Sequence, residues 1–279
     1  MEQGESAAYE LVIRPQSVVS VRDFADVWRY RELLWTLASR DVRVRYKQAA
    51  FGVLWALIQP VFQMAVFTVV FNRFAGIRSG SEVSYPVFAL SGLLVWTMFA
   101  TGLSGASESL VTNSNLITKV YFPRAVIPIA AVVPPMVDFA VAFAFLVPLM
   151  PFYGVPLRPT LLLALPIAAL APLCAIAVGL WTSALNIYFR DVRYALPFFL
   201  QSLIFLTPVF YPSALVPERY RQFLALNPMA AVVDGFRAAV FGEPLPLARL
   251  GGAALAILVV GLGGFLWFRR MERSFADRV

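Results

Sequence analysis

Histidine is absent from the sequence and cysteine occurs once, and these shortages exclude several kinds of site. The single cysteine, Cys174, lies within an apolar run and has no second thiol with which to form an intramolecular disulfide. Zinc and haem sites in proteins are built largely from histidine and cysteine, so almost no ligands remain for either group. We therefore expect no metal ion and no cofactor to bind directly to this chain.

Lysine and paired acidic residues are also scarce. The only lysines are Lys47 and Lys119, and neither follows a glycine, so the Gly-Lys pair of a phosphate-binding P-loop is missing. No two acidic residues are adjacent, whereas an intramembrane enzyme acting on polyprenyl phosphates would usually need clustered acids to bind magnesium diphosphate. We see no catalytic constellation. If the protein moves a solute with ATP, then ATP and Mg must bind to another chain.

Apolar residues dominate the composition instead. Of the 279 residues, 60% are hydrophobic and only 14% are charged, which is typical of a membrane protein rather than a soluble domain. Apolar stretches of about the 17 to 25 residues that cross a bilayer occur six times. They run over Gly52–Phe71, Tyr85–Ala106, Ala125–Met150, Thr160–Leu185, Tyr194–Tyr211 and Leu250–Phe268. The sequence thus predicts an all-α polytopic protein with six transmembrane helices.

The distribution of basic residues predicts the orientation in the cytoplasmic (inner) membrane. With both termini cytoplasmic, sixteen of the 23 Lys and Arg lie on the inner side, as the positive-inside rule requires. The net charge of +7 is explained by anionic lipid headgroups, and no nucleic acid partner is expected, because the arginines lie between apolar runs. We divide the chain into a polar tail (residues 1–28), a transmembrane domain (29–268) and a cytoplasmic tail (269–279).

A basic, half-apolar arm precedes the first span. At helical spacing a mainly cationic stripe faces away from aromatic and aliphatic residues, a pattern that favours the plane of the membrane interface with the stripe towards the headgroups. The stripe consists of Arg29, Glu32, Thr36, Arg40, Arg43 and Lys47. Three charged residues, Arg31, Asp41 and Arg45, project from the apolar side instead, and Asp41 and Arg45 are four apart, so they can pair. The arm is therefore either an ordinary interfacial helix whose apolar face meets lipid, or a helix that uses part of this face to contact protein or an anionic ligand.

Acids and prolines interrupt the apolar spans. Glu108 lies at the inner end of the second stretch, where water can reach it. Asp138 lies well within the third stretch. We favour a role for its carboxylate in holding two helices together, by binding exposed peptide groups, over a role in proton relay. Five prolines should bend or interrupt the third and fourth helices: Pro128, Pro134, Pro135, Pro148 and Pro166.

The connection between the fifth and sixth stretches contains a helix of its own. Asn227 and Pro228 are typical of an N-cap and a first helical residue, and the helix should end near Gly242. Its apolar positions recur three and four apart, and it is too short to cross a bilayer. We expect it either to lie on the outer surface or to cover a pathway, with Asp234 and Arg237 paired.

Two inner connections could dock on a soluble partner. One runs from Thr112 to Arg124 and the other from Asn186 to Tyr194, and both are short and aromatic. Either could insert into a groove of a partner, although such a segment is also found as an ordinary interfacial loop.

Six ordered motifs give the chain a family resemblance. They are RDVRVRYKQAAFGVLWALIQP, SGLLVWTMFA, NSNLITKVYFPR, NIYFRDVRY, TPVFYP and NPMAAVVDGFR. Their order closely resembles the membrane subunits of ABC-2 type polysaccharide exporters, the permeases for O-antigen, capsule and teichoic acid chains. The similarity covers about Arg29 to Phe268.

The resemblance implies partners and site residues that the pattern alone does not. It implies a homodimer with two copies of a separate ABC ATPase, an undecaprenyl-diphosphate-linked glycan as substrate, the arm as an interface helix, and short outer gate helices between spans five and six. Substrate would enter past Arg31, Asp41, Arg45, Tyr46 and Lys47. The ATPase would couple through Asn113, Asn115, Lys119, Tyr121, Phe122, Arg124, Arg190 and Asp191. The channel or gate would involve Trp55, Trp96, Phe99, Met229, Val233 and Phe236. The aromatics Phe62 and Phe205 would line the same channel, although packing alone also explains the aromatics.

Two other functions fit the sequence as alternatives. One is an ABC-2 exporter of a small lipid or drug. The other is a membrane-embedded transferase acting on a lipid-linked sugar, which would require an essential acid at Asp138 or Glu108.

Overall fold

The computed structural model describes residues 27–47, 51–80, 83–119, 122–272 and 275, and every regular element in those ranges is helical. Among these residues, five helices are long and apolar enough to cross a membrane. They span Gly52–Phe74, Tyr85–Thr112, Val126–Phe152, Pro159–Tyr188 and Leu247–Met271. Each overlaps a predicted stretch, so the all-α membrane class is confirmed.

The first half of the chain contains the arm and the first two spans. The arm is helix α1 (Arg31–Lys47). The first span begins as a 3-10 turn, continues as α2 (Trp55–Phe67) and ends as a π-helix over Thr68–Phe74. The second span is α3 (Tyr85–Thr112), which has 28 residues and is about 42 Å long. A short helix, α4 (Ser114–Lys119), follows it.

Prolines break the third span, as predicted. It consists of α5 (Val126–Ala130) and α6 (Val133–Phe152), separated by a turn at residues 131–132. Pro134 has no N–H, and its ring clashes with the carbonyl four residues earlier, so the helix cannot run through this point unchanged.

The fourth span is also interrupted. It begins as a 3-10 helix (Pro159–Leu163), continues as α7 (Ala164–Ala168), and resumes after a turn at residue 169 as α8 (Leu170–Tyr188).

The fifth predicted stretch is shorter than expected. Helix α9 (Val192–Leu206) has 15 residues and stops before Thr207, whereas the prediction ran to Tyr211. Pro208 accounts for this, because the residue before a proline avoids helical geometry, and Thr207 is extended. Beyond it lie α10 (Glu218–Leu226) and α11 (Pro228–Phe241), a pair bent by 99° that we call the hairpin, and then α12 (Leu247–Met271).

Helix α3 is the centre of the bundle, and it defines two ends. We call the end where α1 packs on α3 the arm end, and the end where α10 and α11 lie the hairpin end. Small residues let α8 approach α3, since a Cβ on Gly179 would come within 2.7 Å of the Ala106 Cβ. One apolar core runs through the bundle, and a second one lies at the arm end.

Candidate functional site

The arm is fixed to the end of α3 by an apolar and a polar contact. Leu37 and Ala38 are buried in the arm-end core. Arg40 donates a hydrogen bond to the side-chain oxygen of Asn113, the C-cap residue that follows α3, at 2.9 Å, and it forms an ion pair with Asp41 at 2.8 Å. Arg40 therefore binds protein, although it belongs to the stripe predicted to face headgroups.

Asp138 of α6 holds the arm to the third span. Arg45 Nη2 lies 2.8 Å from Asp138 Oδ2, and the Tyr46 hydroxyl donates to the other carboxylate oxygen. The predicted pairing of Asp41 with Arg45 is therefore wrong, because a half-buried carboxylate on the neighbouring helix needs a cation more than the exposed arm does. The expectation that Asp138 would bind peptide groups is corrected in the same way.

Tyr46 remains a hydrogen-bond donor at physiological pH. Burial raises the pKa of its hydroxyl above the ordinary tyrosine value, and the hydrogen bond to Asp138 and the negative charge of Asp138 raise it further. The neutral phenol thus remains a donor to this carboxylate.

A groove of about 290 Å³ opens between α1, α3 and the break in the third span. Its wall carries two arginines, Arg40 and Arg45, and two acids, Asp41 and Glu108. Pro134 and its neighbours line the other side, so the interrupted helix helps to form the groove. The structure thus brings Asp41, Arg45 and Asn113 together, with Tyr46 beside them.

Two predicted substrate residues stand apart from this groove. Arg31 begins α1 and Lys47 ends it, and both are exposed. They are sixteen positions apart in the helix, which corresponds to about 24 Å along its axis. They flank the site along the arm and do not line it.

The predicted coupling residues divide into exposed and buried groups. Exposed side chains at the arm end belong to Asn115, Lys119, Arg190 and Asp191. Phe122 is only 4% exposed within the arm-end core, so it supports the segment from inside. Tyr121 lies outside the described residues. Docking on an ATPase stays a prediction for the exposed group.

Arg124 is held by the C-terminal segment, which the sequence predicts only as a cytoplasmic tail. Its backbone N–H donates to Glu272 Oε1 at 2.6 Å, and its guanidinium donates to the Glu272 carbonyl. Phe275 is fully buried, with its ring edge-on to Phe268 at 5.3 Å. The available signal was one aromatic residue, Phe275, in an otherwise polar terminal segment.

Most predicted channel and gate residues lie inside the bundle. Trp55 is 49% exposed, and the aromatics Phe62 and Phe205 are also exposed. The other five are at most 4% exposed and pack within the main core: Trp96, Phe99, Met229, Val233 and Phe236. A side chain this deeply buried cannot contact a passing solute in this conformation, so channel lining is retained only for the exposed aromatics.

The helix predicted from Asn227 to Gly242 is confirmed. The Asn227 side chain accepts a hydrogen bond from the Met229 N–H at 3.0 Å, as an N-cap does, and Gly242 ends the helix with φ of 72°. The expected pairing of Asp234 with Arg237 is wrong, because Asp234 pairs with Arg249 of α12 at 2.9 Å.

Arg237 instead satisfies the backbone at the break after α9. Its buried guanidinium donates to the carbonyls of Pro208, Val209 (2.5 Å) and Phe88 (3.1 Å). It also lies over the Phe88 ring, 3.6 Å from the centroid. Carbonyls released by a broken helix in an apolar setting need such a donor. Helix α11 is thereby attached to both α3 and the end of α9.

Comparison with known proteins gives one family and several relatives. A family model described as "ABC-2 type transporter" matches residues 32–241, from the arm to the end of α11. The chain is 29% identical over 268 residues to "O-antigen export system permease protein RfbA" of Myxococcus xanthus, a match covering 93% of this chain and 100% of that protein. It is 25% identical to a protein of the same name from Klebsiella pneumoniae, over 88% and 94% of the two chains. It is also 25% identical to "Polysialic acid transport protein KpsM" of Escherichia coli, over 80% and 88%.

Proposed function

The chain belongs to the ABC-2 type transporter family, and we propose that it is the membrane subunit of an ATP-driven exporter of a lipid-linked polysaccharide. The observation that carries this proposal is the full-length similarity to an O-antigen export permease, which covers 93% of this chain. The polysialic acid transport protein among its relatives supports the same substrate class.

We assign the groove at the arm end to the diphosphate of an undecaprenyl-diphosphate-linked glycan. Guanidinium groups bind phosphate oxygens through paired hydrogen bonds, and Arg40 and Arg45 both line the groove. Each arginine already has a carboxylate partner, yet each side chain remains 43% exposed. Donors are therefore left for a ligand, while the arm lies where membrane lipids and a lipid carrier can reach it.

The transport architecture follows from the same proposal. Six spans cross the inner membrane if α9 and the segment after it form the fifth, and both termini are then cytoplasmic. Two copies of this chain form the pathway, with exposed aromatics such as Trp55 and Phe62 facing it. Two ATPase subunits, which hold ATP and Mg, dock below at Lys119 and the exposed residues near Arg190.

Co-purification with a candidate ATPase tests the proposal. The ATPase encoded beside this chain should remain bound through affinity purification, and lipid-linked glycan should stimulate its ATP hydrolysis. A glycan without its lipid diphosphate is the matched control and should stimulate less. The proposal is wrong if no neighbouring ATPase binds and if lipid-linked glycan leaves the rate of ATP hydrolysis unchanged.

A further inference from the structure

A second cavity lies at the hairpin end, far from the groove. It has a volume of about 360 Å³ and is bounded by Ser213, α10 and the start of α12. Two arginines line it, Arg221 of α10 and Arg249 of α12, beside the apolar side chains of Leu224 and its neighbours. The cavity therefore combines two cations with an apolar wall.

The two arginines differ in how well their charge is balanced. Arg249 forms a 2.9 Å ion pair with Asp234, whose side chain is largely buried. Arg221 lies 3.7 Å from Glu218, which is too long for a hydrogen bond, and the Glu218 side chain is 90% exposed. The Arg221 Nε donates to the Val216 carbonyl at 3.2 Å. This bond fixes the guanidinium in place without neutralising it.

The position of these arginines argues for a ligand. We assign the hairpin end to the outer side of the membrane. Arginines close to span ends favour the cytoplasmic side, so two arginines at the outer side work against the orientation of the bundle. Neighbouring α10 also exposes large apolar side chains, Phe223 and Leu226, as a helix at the acyl boundary does. A molecule that enters the cavity from the membrane would therefore bring an apolar chain with it.

We propose that Arg221 and Arg249 form an outer site for the phosphate group of a lipid. Planar guanidinium groups match phosphate oxygens, and the apolar wall near Leu224 suits the first part of the attached hydrocarbon chain. The phosphate could belong to a phospholipid headgroup or to a prenyl diphosphate. Both have the same chemistry at this site, and the site does not depend on which substrate the protein exports.

Lipid binding to the purified protein in neutral detergent tests the site. The probes are short-chain phosphatidylglycerol and farnesyl diphosphate, with diacylglycerol and farnesol as matched lipids that lack phosphate. Wild type should prefer at least one phosphate lipid over its neutral match. Arg221→Gln should weaken binding of that lipid about tenfold, as expected for loss of a charged hydrogen-bond donor.

Arg219→Gln is the matched control. Arg219 lies on the same helix and has the same charge, but its guanidinium lies over the Tyr220 ring at 4.6 Å and does not line the cavity. A loss with phosphatidylglycerol alone identifies a headgroup, and a loss with farnesyl diphosphate alone identifies a carrier; both support the site. Equal losses in the two variants, no loss in Arg221→Gln, or no preference for phosphate would overturn it. Farnesyl diphosphate can also bind the arm-end groove, but both variants leave that groove unchanged, so a difference between them reports on the outer cavity alone. The assay needs no ATPase, so this difference can be seen even if the proposed export function is wrong.

Discussion

Arg45 of the arm and Asp138 of the third span form an ion pair with 2.8 Å between nitrogen and oxygen, and this pair joins two parts of the chain that are distant in sequence. Tyr46 uses the other carboxylate oxygen, so consecutive residues of α1 bind one acid. Because Arg45 also lines the groove, a ligand that draws it away from Asp138 would loosen the arm from the third span.

Replacing Arg45 should affect transport more than replacing its neighbour Arg43. Arg43 contacts only the Ser39 carbonyl of its own helix among the hydrogen bonds of the described residues, whereas Arg45 holds Asp138. We expect Arg45→Ala to lower glycan-stimulated ATP hydrolysis about tenfold, as loss of a charged hydrogen bond would, and Arg43→Ala to change it little. Equal, small effects would mean that the pair of Arg45 with Asp138 does not contribute to transport.

Arg237 should be essential for stability. Arg237→Met leaves the carbonyls of Pro208 and Val209 without this donor, while the Phe88 carbonyl keeps the Ser91 hydroxyl, and we expect the free energy of unfolding to fall by about 3 kcal/mol. Thermal unfolding in detergent measures this. Arg219→Met, at an exposed position of α10, is the control and should be near neutral. Similar losses in both variants would contradict the assigned role.

Gly92 should be required for the same contact. A Cβ at this position would collide with the Arg237 guanidinium and lie 2.9 Å from the Val209 carbonyl, so Gly92→Ala should lower the Tm. Gly251→Ala is the matched control in another span, because nothing lies within 4 Å of its Cβ position. A Gly92→Ala protein as stable as the Gly251→Ala protein would show that this packing is loose.

The sequence predicts regular features better than long-range pairs. Helix α11 could be bounded from Asn227 and Gly242, because a cap and a left-handed glycine are local signals. The partners of Asp138 and Arg237 could not be found this way, because they depend on how distant helices pack. The periodic spacing of Asp234 and Arg237 permits a pair, but the carbonyls freed by Pro208 compete for the arginine. Tertiary packing also decides whether an aromatic residue is exposed or, like Phe122, buried.

Coupling to the ATPase through the inner connection from Thr112 to Arg124 should be tested at Lys119 rather than at Phe122. Phe122→Ala would leave a cavity in the arm-end core and lower stability by about 3 kcal/mol, so a coupling defect there would be ambiguous. Lys119→Glu changes an exposed charge and should weaken ATPase binding with an unchanged Tm. Arg73→Glu, exposed at the end of the first span, is the control. Undiminished ATPase binding by Lys119→Glu would exclude this residue from the interface.

The end of the chain should stabilise the arm end. Phe275→Ala removes a fully buried ring that packs on Phe268, and we expect a loss of about 3 kcal/mol in the free energy of unfolding. Leu266→Ala, a half-exposed position on α12, is the control. An unchanged Tm for Phe275→Ala would mean that the terminal segment does not contribute to the core.

Export in proteoliposomes tests the central claim most directly. The chain and its neighbouring ATPase are reconstituted together with an undecaprenyl-diphosphate-linked glycan, and the glycan that becomes accessible to an enzyme on the opposite side is measured over time. We expect the accessible glycan to accumulate only with ATP and both proteins, and Arg45→Ala to slow this accumulation. Accumulation at the same rate without ATP, or none at all from an assembled and ATP-hydrolysing complex, would contradict it.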